Sequence, residues 1–210
     1  MGRRISGFVI SLLVGAGAVL AQTVPASSDA HVSAAFPAVN FGTSPNLNVL
    51  GVAGSATRGY VRFDVSSIAA GLGSGTITKA YLVLWASRVP TPGTIQISEV
   101  TGSWVESSIS NSFQPTVGAA VATASVSTEQ SYVYVDITSL VLKWIATPAS
   151  NHGIVIDPVG STSVIFDSKE SVTTSRPASL QVETNGVVGS TGATGVTGRR
   201  EQQEQPERRV

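Results

Sequence analysis

The chain contains no cysteine. That removes thiolate zinc sites and cysteine nucleophiles from consideration. It also leaves the fold to be held by its core alone, which a domain of this length can supply without disulfides. Histidine is nearly as scarce, with only His31 and His152. There is no Gly-X-Ser-X-Gly elbow, no phosphate loop and no His-Glu-X-X-His pair, so a nucleophile triad or a zincin has no framework here. Basic clusters are missing too. Between residues 29 and 184, seven Lys and Arg stand against ten Asp and Glu, a net of −3. A mildly acidic surface of this kind argues against nucleic acid as a partner. It argues mildly against a strongly anionic glycan as well, unless a local basic groove exists.

The first segment has the features of a secretory signal. Arg3 and Arg4 precede an apolar run from Ile5 to Leu20, and Val19-Leu20-Ala21 offers a cleavage site before Gln22. The run is about 16 residues, short for a bilayer-spanning helix. The expected boundaries are a signal peptide over 1–21, a linker over 22–28, a domain over 29–184 and a tail from 185. After cleavage no membrane contact is expected, and the chain is expected outside the cell or at its surface. The alternative is an uncleaved N-terminal anchor.

Within 29–184, short runs rich in Val, Ile, Thr, Tyr and Phe alternate with Gly, Pro, Ser and Asn clusters. Strands are predicted over 47–51, 58–65, 78–87, 94–100, 120–126, 131–137, 153–157, 162–167 and 178–184. That pattern specifies an all-β, two-sheet sandwich of jelly-roll type. The period-2 alternation separates two faces. Val61, Phe63 and Val65 oppose Tyr60, Arg62 and Asp64. Ala80, Leu82 and Leu84 oppose Tyr81, Val83 and Trp85. Val133, Val135 and Ile137 oppose Tyr132, Tyr134 and Asp136. The aliphatic sets are the expected core. One stretch breaks the rule: Leu140, Val141, Trp144 and Ile145 fit a helix of about two turns that plugs one end of the sandwich. Thr138 or Asp136 is placed to cap it, and Pro148 to stop it.

The tail has Gly at 186, 189, 192, 195 and 198. This period of three over 185–198 reads as a short collagen-like segment, where only Gly fits the crowded axis. The polar, charged stretch 199–210 reads as disordered. A longer stalk of this kind would form a trimer; a plain flexible linker is the other reading.

Seven motifs, closed by Ser-Arg-Pro at 175–177, run in order along the domain. They are Asp-Ala-His-Val (29–32), Asn-Phe-Gly (40–42), Tyr-Val-Arg-Phe-Asp-Val-Ser (60–66), Gly-Ser-Trp-Val-Glu (102–106), Val-Asp-Ile-Thr-Ser-Leu-Val-Leu-Lys-Trp (135–144), Asn-His-Gly (151–153) and Phe-Asp-Ser-Lys-Glu (166–170). Together they resemble the DNRLRE-type domain, also described as carbohydrate-binding module family 96. The resemblance implies a secreted β-sandwich that grips polysaccharide or cell-surface material without catalysis. A structural surface protein with no sugar ligand and a polysaccharide-degrading enzyme are the alternatives. A family member that binds alginate is expected to carry basic residues near the Asn-Phe-Gly loop. This chain has Thr43, Ser44, Asn46 and Asn48 there, which weighs against a polyuronate.

Sugar recognition needs aromatic faces, planar polar groups and, for a uronate, a cation. The candidate carbohydrate-binding residues are Tyr60, Arg62, Tyr81, Trp85, Lys169 and Arg176, with Tyr132 and Tyr134 on the same non-aliphatic face. The competing reading packs each aromatic under a loop such as 36–46 or 107–119. Arg62, Asp64, Glu170 and Arg176 are expected first as an ion network tying the last loop to the sheet. Asp157, Asp167, Glu170 and Glu106 are the carboxylates available to acid–base chemistry. No cofactor is expected, although Asp29, Asn40 and Asp157 could supply hard oxygen ligands to a structural calcium.

Overall fold

The computed structural model describes residues 19–72 and 76–185. These form ten strands and two short α-helices. In chain order they are β1 (Val19–Ser33), β2 (Asn46–Leu50), β3 (Thr57–Phe63), α1 (Ser66–Leu72), β4 (Thr76–Thr91), β5 (Gly93–Val100), β6 (Val117–Val126), β7 (Ser131–Asp136), α2 (Thr138–Ala146), β8 (Ile154–Pro158), β9 (Ser163–Asp167) and β10 (Ser179–Asn185). The all-β sandwich expected from the alternation is what the chain adopts.

One sheet holds β7, β4, β9 and β2, with β10 beside the first part of β4. The other holds β1, β3, β8, β5 and β6. All these pairings are antiparallel, and the sheets join twice, through β1 and where β2 meets β3 at Leu50 and Thr57. β1 pairs β10 up to Pro25 and β3 from Ala26 onward, with an irregularity before Ser28. The core lies between the sheets. Leu82, Leu84, Val133, Val135, Phe166 and Leu180 meet Val61, Phe63, Ile95, Ile97, Ile154 and Ile156 in one buried cluster. Each such side chain contributes roughly 1.5–3 kcal/mol by leaving water.

The helix expected around Trp144 is α2, and it buries Leu140, Val141 and Trp144. Asp136 Oδ1 accepts the Thr138 N–H at 3.0 Å just ahead of it. Pro148 follows and opens a 3-10 turn, Pro148–Ser150. Two features differ from the sequence reading. Residues 22–28, expected as a linker, are the first half of β1, with Val24 and Ala26 buried and Thr23 and Pro25 exposed. A second short helix, α1, follows β3; it buries Ile68 and packs the half-buried Leu72 against the core. The expected signal segment lies outside the described residues except for 19–21, which begin β1, and the collagen-like and charged tail lies outside them beyond Asn185.

Candidate functional site

The polar face of β3 is roofed. Ala30 and Val32 of β1, Tyr60 of β3, Val100 of β5 and Val155 of β8 form a second buried cluster on the outside of their sheet. The loop 101–116 covers it with Trp104 and Ile109. Thr101 N–H donates to Thr116 O at 2.9 Å and closes the loop. Asn40 Nδ2 donates to both Glu106 O and Ile109 O at 2.7 Å and clamps it from the side. Beneath it Tyr60 is fully buried, with its hydroxyl donating to Gln114 Oε1 at 2.8 Å. The Arg62 guanidinium lies 5.5 Å from the centre of the Trp104 ring and donates to Ser28 Oγ at 3.1 Å. Tyr60 and Arg62 therefore hold the roof to the sheet, and their stacking faces are covered.

In the second half of β1 a compact ion cluster ties three segments together. Asp29 is 1% exposed. Its carboxylate accepts the Lys169 N–H at 2.8 Å, and its own N–H donates to Glu106 Oε1 at 2.7 Å. The Lys169 ammonium pairs with Glu106 at 3.1 Å and with Glu170. Carboxylate oxygens of Asp29, Glu106 and Glu170 all lie within 4.8 Å of one another. Three such groups can hold a cation, and Lys169 is the cation the structure places among them. Of the residues expected for calcium, only Asp29 is here. Asn40 clamps the roof, and Asp157 takes two 2.7 Å hydrogen bonds from Arg58. The expected network also differs in membership, since Arg62 and Arg176 lie over indole rings and Asp64 accepts the Ser66 N–H.

Burial pushes the Asp29 carboxyl up from 3.8 to about 7; the Lys169 N–H opposes this, and the charges of Glu170 and Glu106 add to it. Because the folded value lies above the unfolded one, the folded state binds the proton more tightly. The stabilisation from protonated Asp29 is present below about pH 4 and is lost as the pH rises toward 7. Asp29→Asn keeps an oxygen acceptor and removes the titration. The stability of the parent relative to this variant is expected to fall between pH 4 and 7, by on the order of a few kcal/mol. Urea unfolding of both proteins across that range measures it, and parallel pH profiles would refute it.

The outside of the other sheet is open. Trp85 of β4 pairs across the ladder with Tyr132 of β7, and Tyr134 pairs with Val83. Trp85 itself is only 9% exposed, because the Arg176 guanidinium sits 3.8 Å over its ring and Tyr132 meets its edge at 4.8 Å. Tyr132 and Tyr134, by contrast, are 47% and 56% exposed. Their ring centres are 6.3 Å apart. Beside them runs an open groove of about 520 Å³ lined by Thr123, Ser125, Ser127, Thr128 and Ser131. The result is a row of Arg176, Trp85, Tyr132 and Tyr134 next to a bank of hydroxyls. Rings supply stacking surface, hydroxyls and the guanidinium supply hydrogen bonds, and the lining of the groove carries no charge.

Of the six residues singled out from the sequence, the structure brings Tyr81, Trp85 and Arg176 to this face. Tyr81 is half-buried and lies two inter-strand pairs beyond Val83. Tyr60 and Arg62 belong to the opposite sheet under its roof, and Lys169 belongs to the ion cluster. The hydroxyl bank was missed. Its signal was present as Thr123, Ser125 and Ser127 at period 2 in an Ala- and Val-rich strand. The carboxylates considered for acid–base chemistry have other partners: Asp157 with Arg58, Glu106 and Glu170 with Lys169, and Asp167 with the Thr174 hydroxyl. His31 is buried, stacked on Phe41 at 4.4 Å and hydrogen-bonded to Asn46 O at 3.1 Å.

A family model described as carbohydrate-binding module family 96 matches residues 21–184. No curated protein matches the chain.

Proposed function

The chain belongs to carbohydrate-binding module family 96, and from that premise we propose that it holds polysaccharide on the open face of β4 and β7, as an exported, non-catalytic module. One observation carries the reading. Tyr132 and Tyr134 are large aromatic side chains left about half exposed side by side, next to a hydroxyl-lined groove, while Tyr60 and Trp104 on the other sheet are buried. Sugar rings present apolar C–H faces to aromatic rings, and their hydroxyls pair with planar or hydroxylic groups at the rim. Trp85 serves as the support that fixes Tyr132 and Arg176 rather than as a stacking surface. Arg176 supplies a fixed donor fork at one end of the row. A shallow face of this kind binds weakly per site, and display on a stalk of several copies would raise retention through multivalency.

The test is retention of the purified chain on a panel of neutral glucans and polyuronates, with and without calcium. Saturable retention on one class is expected. In a Tyr132→Ala, Tyr134→Ala variant it is expected to drop by at least about tenfold per tyrosine. Both side chains are exposed, so the variant keeps its fold, and circular dichroism verifies that. Unchanged retention in the variant moves the site elsewhere. No retention of folded protein on any polysaccharide defeats the reading.

A further inference from the structure

Among the described residues β6 pairs only with β5, and β7 only with β4. A gap therefore runs between these two strand edges, away from the turn that joins them. The hydroxyl-lined groove fills the part near the turn, between Thr123 and Ser125 of β6 and Tyr132 and Tyr134 of β7. A second groove, of about 590 Å³, lies farther along the same gap. Its walls include Val121 of β6, Asp136 of β7, Lys79 of β4, and Thr138 and Ser139 at the start of α2. Val121 stands two residues from Thr123, and Asp136 two residues from Tyr134, so the two grooves adjoin end to end. Asp136 is already engaged. Lys79 donates to one of its oxygens at 2.7 Å, and the Thr138 N–H and hydroxyl donate to the other. The Lys79 ammonium keeps donors to spare, and its side chain is 48% exposed. Ser139 is exposed, and its hydroxyl has no partner among the described residues. Val121, also exposed, gives the facing wall an apolar surface.

We propose that the two grooves form one trough, in which a single neutral polysaccharide chain lies along β7 and sets its further sugars against Val121, Lys79 and Ser139. The inference rests on the carbohydrate-binding reading above and lengthens its site. β7 has six residues at about 3.4 Å each, roughly 20 Å in all, which gives several sugar rings room to lie in a row. The lining suits a sugar along its whole length. Near the turn it offers aromatic rings and hydroxyls; farther on it offers an aliphatic patch facing an ammonium and a hydroxyl. Sugar rings use both kinds of surface, C–H faces on apolar side chains and hydroxyls on polar ones. Lys79 and Asp136 are the charged residues of the two linings, and they neutralise each other. A polyuronate would bring repeated carboxylates past Asp136 and find no unpaired cation there, so a neutral chain fits. An exposed ion pair adds little to the fold, which leaves Lys79 free to turn toward a ligand at small cost.

The experiment measures binding of trimers and hexamers of cellulose, amylose, mannan and a polyuronate to the full chain by titration calorimetry. One neutral series is expected to bind, its hexamer at least about tenfold more tightly than its trimer. A Lys79→Met, Ser139→Ala variant is expected to bring the hexamer down to the affinity of the trimer and to leave the trimer as it was. Both side chains are exposed, and circular dichroism verifies the fold. Tyr132→Ala, Tyr134→Ala is expected to weaken trimer and hexamer alike. A hexamer that binds no more tightly than its trimer, or that ignores the Lys79→Met, Ser139→Ala change, overturns the trough and leaves the tyrosine face standing alone. Equal loss of trimer and hexamer in that variant does the same, because it reports a disturbed β7 and not a lost subsite. Tightest binding by the polyuronate hexamer overturns the neutral class. Retention on a polysaccharide through the tyrosines with no hexamer bound also sinks the trough. If folded protein holds neither oligomers nor polysaccharide, the carbohydrate reading fails and takes this inference with it.

Discussion

Gly153→Ala is expected to destabilise the fold by several kcal/mol, enough to leave little native protein. Gly153 has φ of +87°. An L side chain there costs roughly 1–2 kcal/mol from backbone sterics alone. Space is the larger problem. A Cβ would sit 2.2 Å from Val61 O and 2.9 Å from the Arg62 Cα. Both are backbone atoms of β3, whose neighbouring side chains Val61 and Phe63 are in the core, so neither can yield. The close approach has a purpose, because Gly153 O accepts the Val100 N–H at 3.0 Å and Asn151 reaches Phe63 O. Gly54 is the control. It has φ of +74° and nothing within 4 Å of its Cβ position, so Gly54→Ala isolates the conformational cost at roughly 1–2 kcal/mol. Urea unfolding of the two variants compares them directly. Equal losses would show that β3 can move aside.

Trp104→Ala is expected to cost about 3–5 kcal/mol, although the residue sits on the outside of a sheet. Trp104 is 6% exposed, its Nε1 donates to His152 O at 2.8 Å, and its ring lies against both Tyr60 and Arg62. Its removal uncovers a cluster that the sheet cannot bury by itself. Trp104→Phe keeps most of the packing and loses one hydrogen bond, an expected loss of about 1 kcal/mol. His152→Ala is expected to be nearly silent, because the contact uses its carbonyl and not its imidazole. The same denaturation measurement orders the three. A Trp104→Ala loss under about 1 kcal/mol would mean the roof contributes little.

These two sites explain what the motifs encode and what the sequence could not disclose. The period-2 patterns placed Val61, Leu82 and Val133 in the core and Tyr60, Trp85 and Tyr132 opposite them, as found. Alternation reports which residues share a face; it is silent on whether a loop lies over that face. Tyr60 and Tyr132 are indistinguishable by that signal, yet one is fully buried and the other half exposed. The deciding element is the loop 101–116, which has no period to read and is held by Asn40 from a distant part of the chain. Asn40 of Asn-Phe-Gly and the His152 carbonyl of Asn-His-Gly both hold this roof in place. The composition of 22–28 misleads for a related reason. Pro25, Ser27 and Ser28 have turn composition, and pairing with β10 up to Pro25 and with β3 from Ala26 overrides it. The α2 helix was legible because its apolar spacing is local and its stop, Pro148, is adjacent.

The pairing of Val19 with Asn185 has a mechanical consequence. The backbone enters and leaves this domain side by side, along neighbouring antiparallel strands. In a longer polymer the module hangs as a pendant from the line of tension, not as a link within it. A load applied across those two residues meets the β1–β10 rungs singly, the last rung reached being Pro25 with Ser179, so the seam parts like a zip at low force.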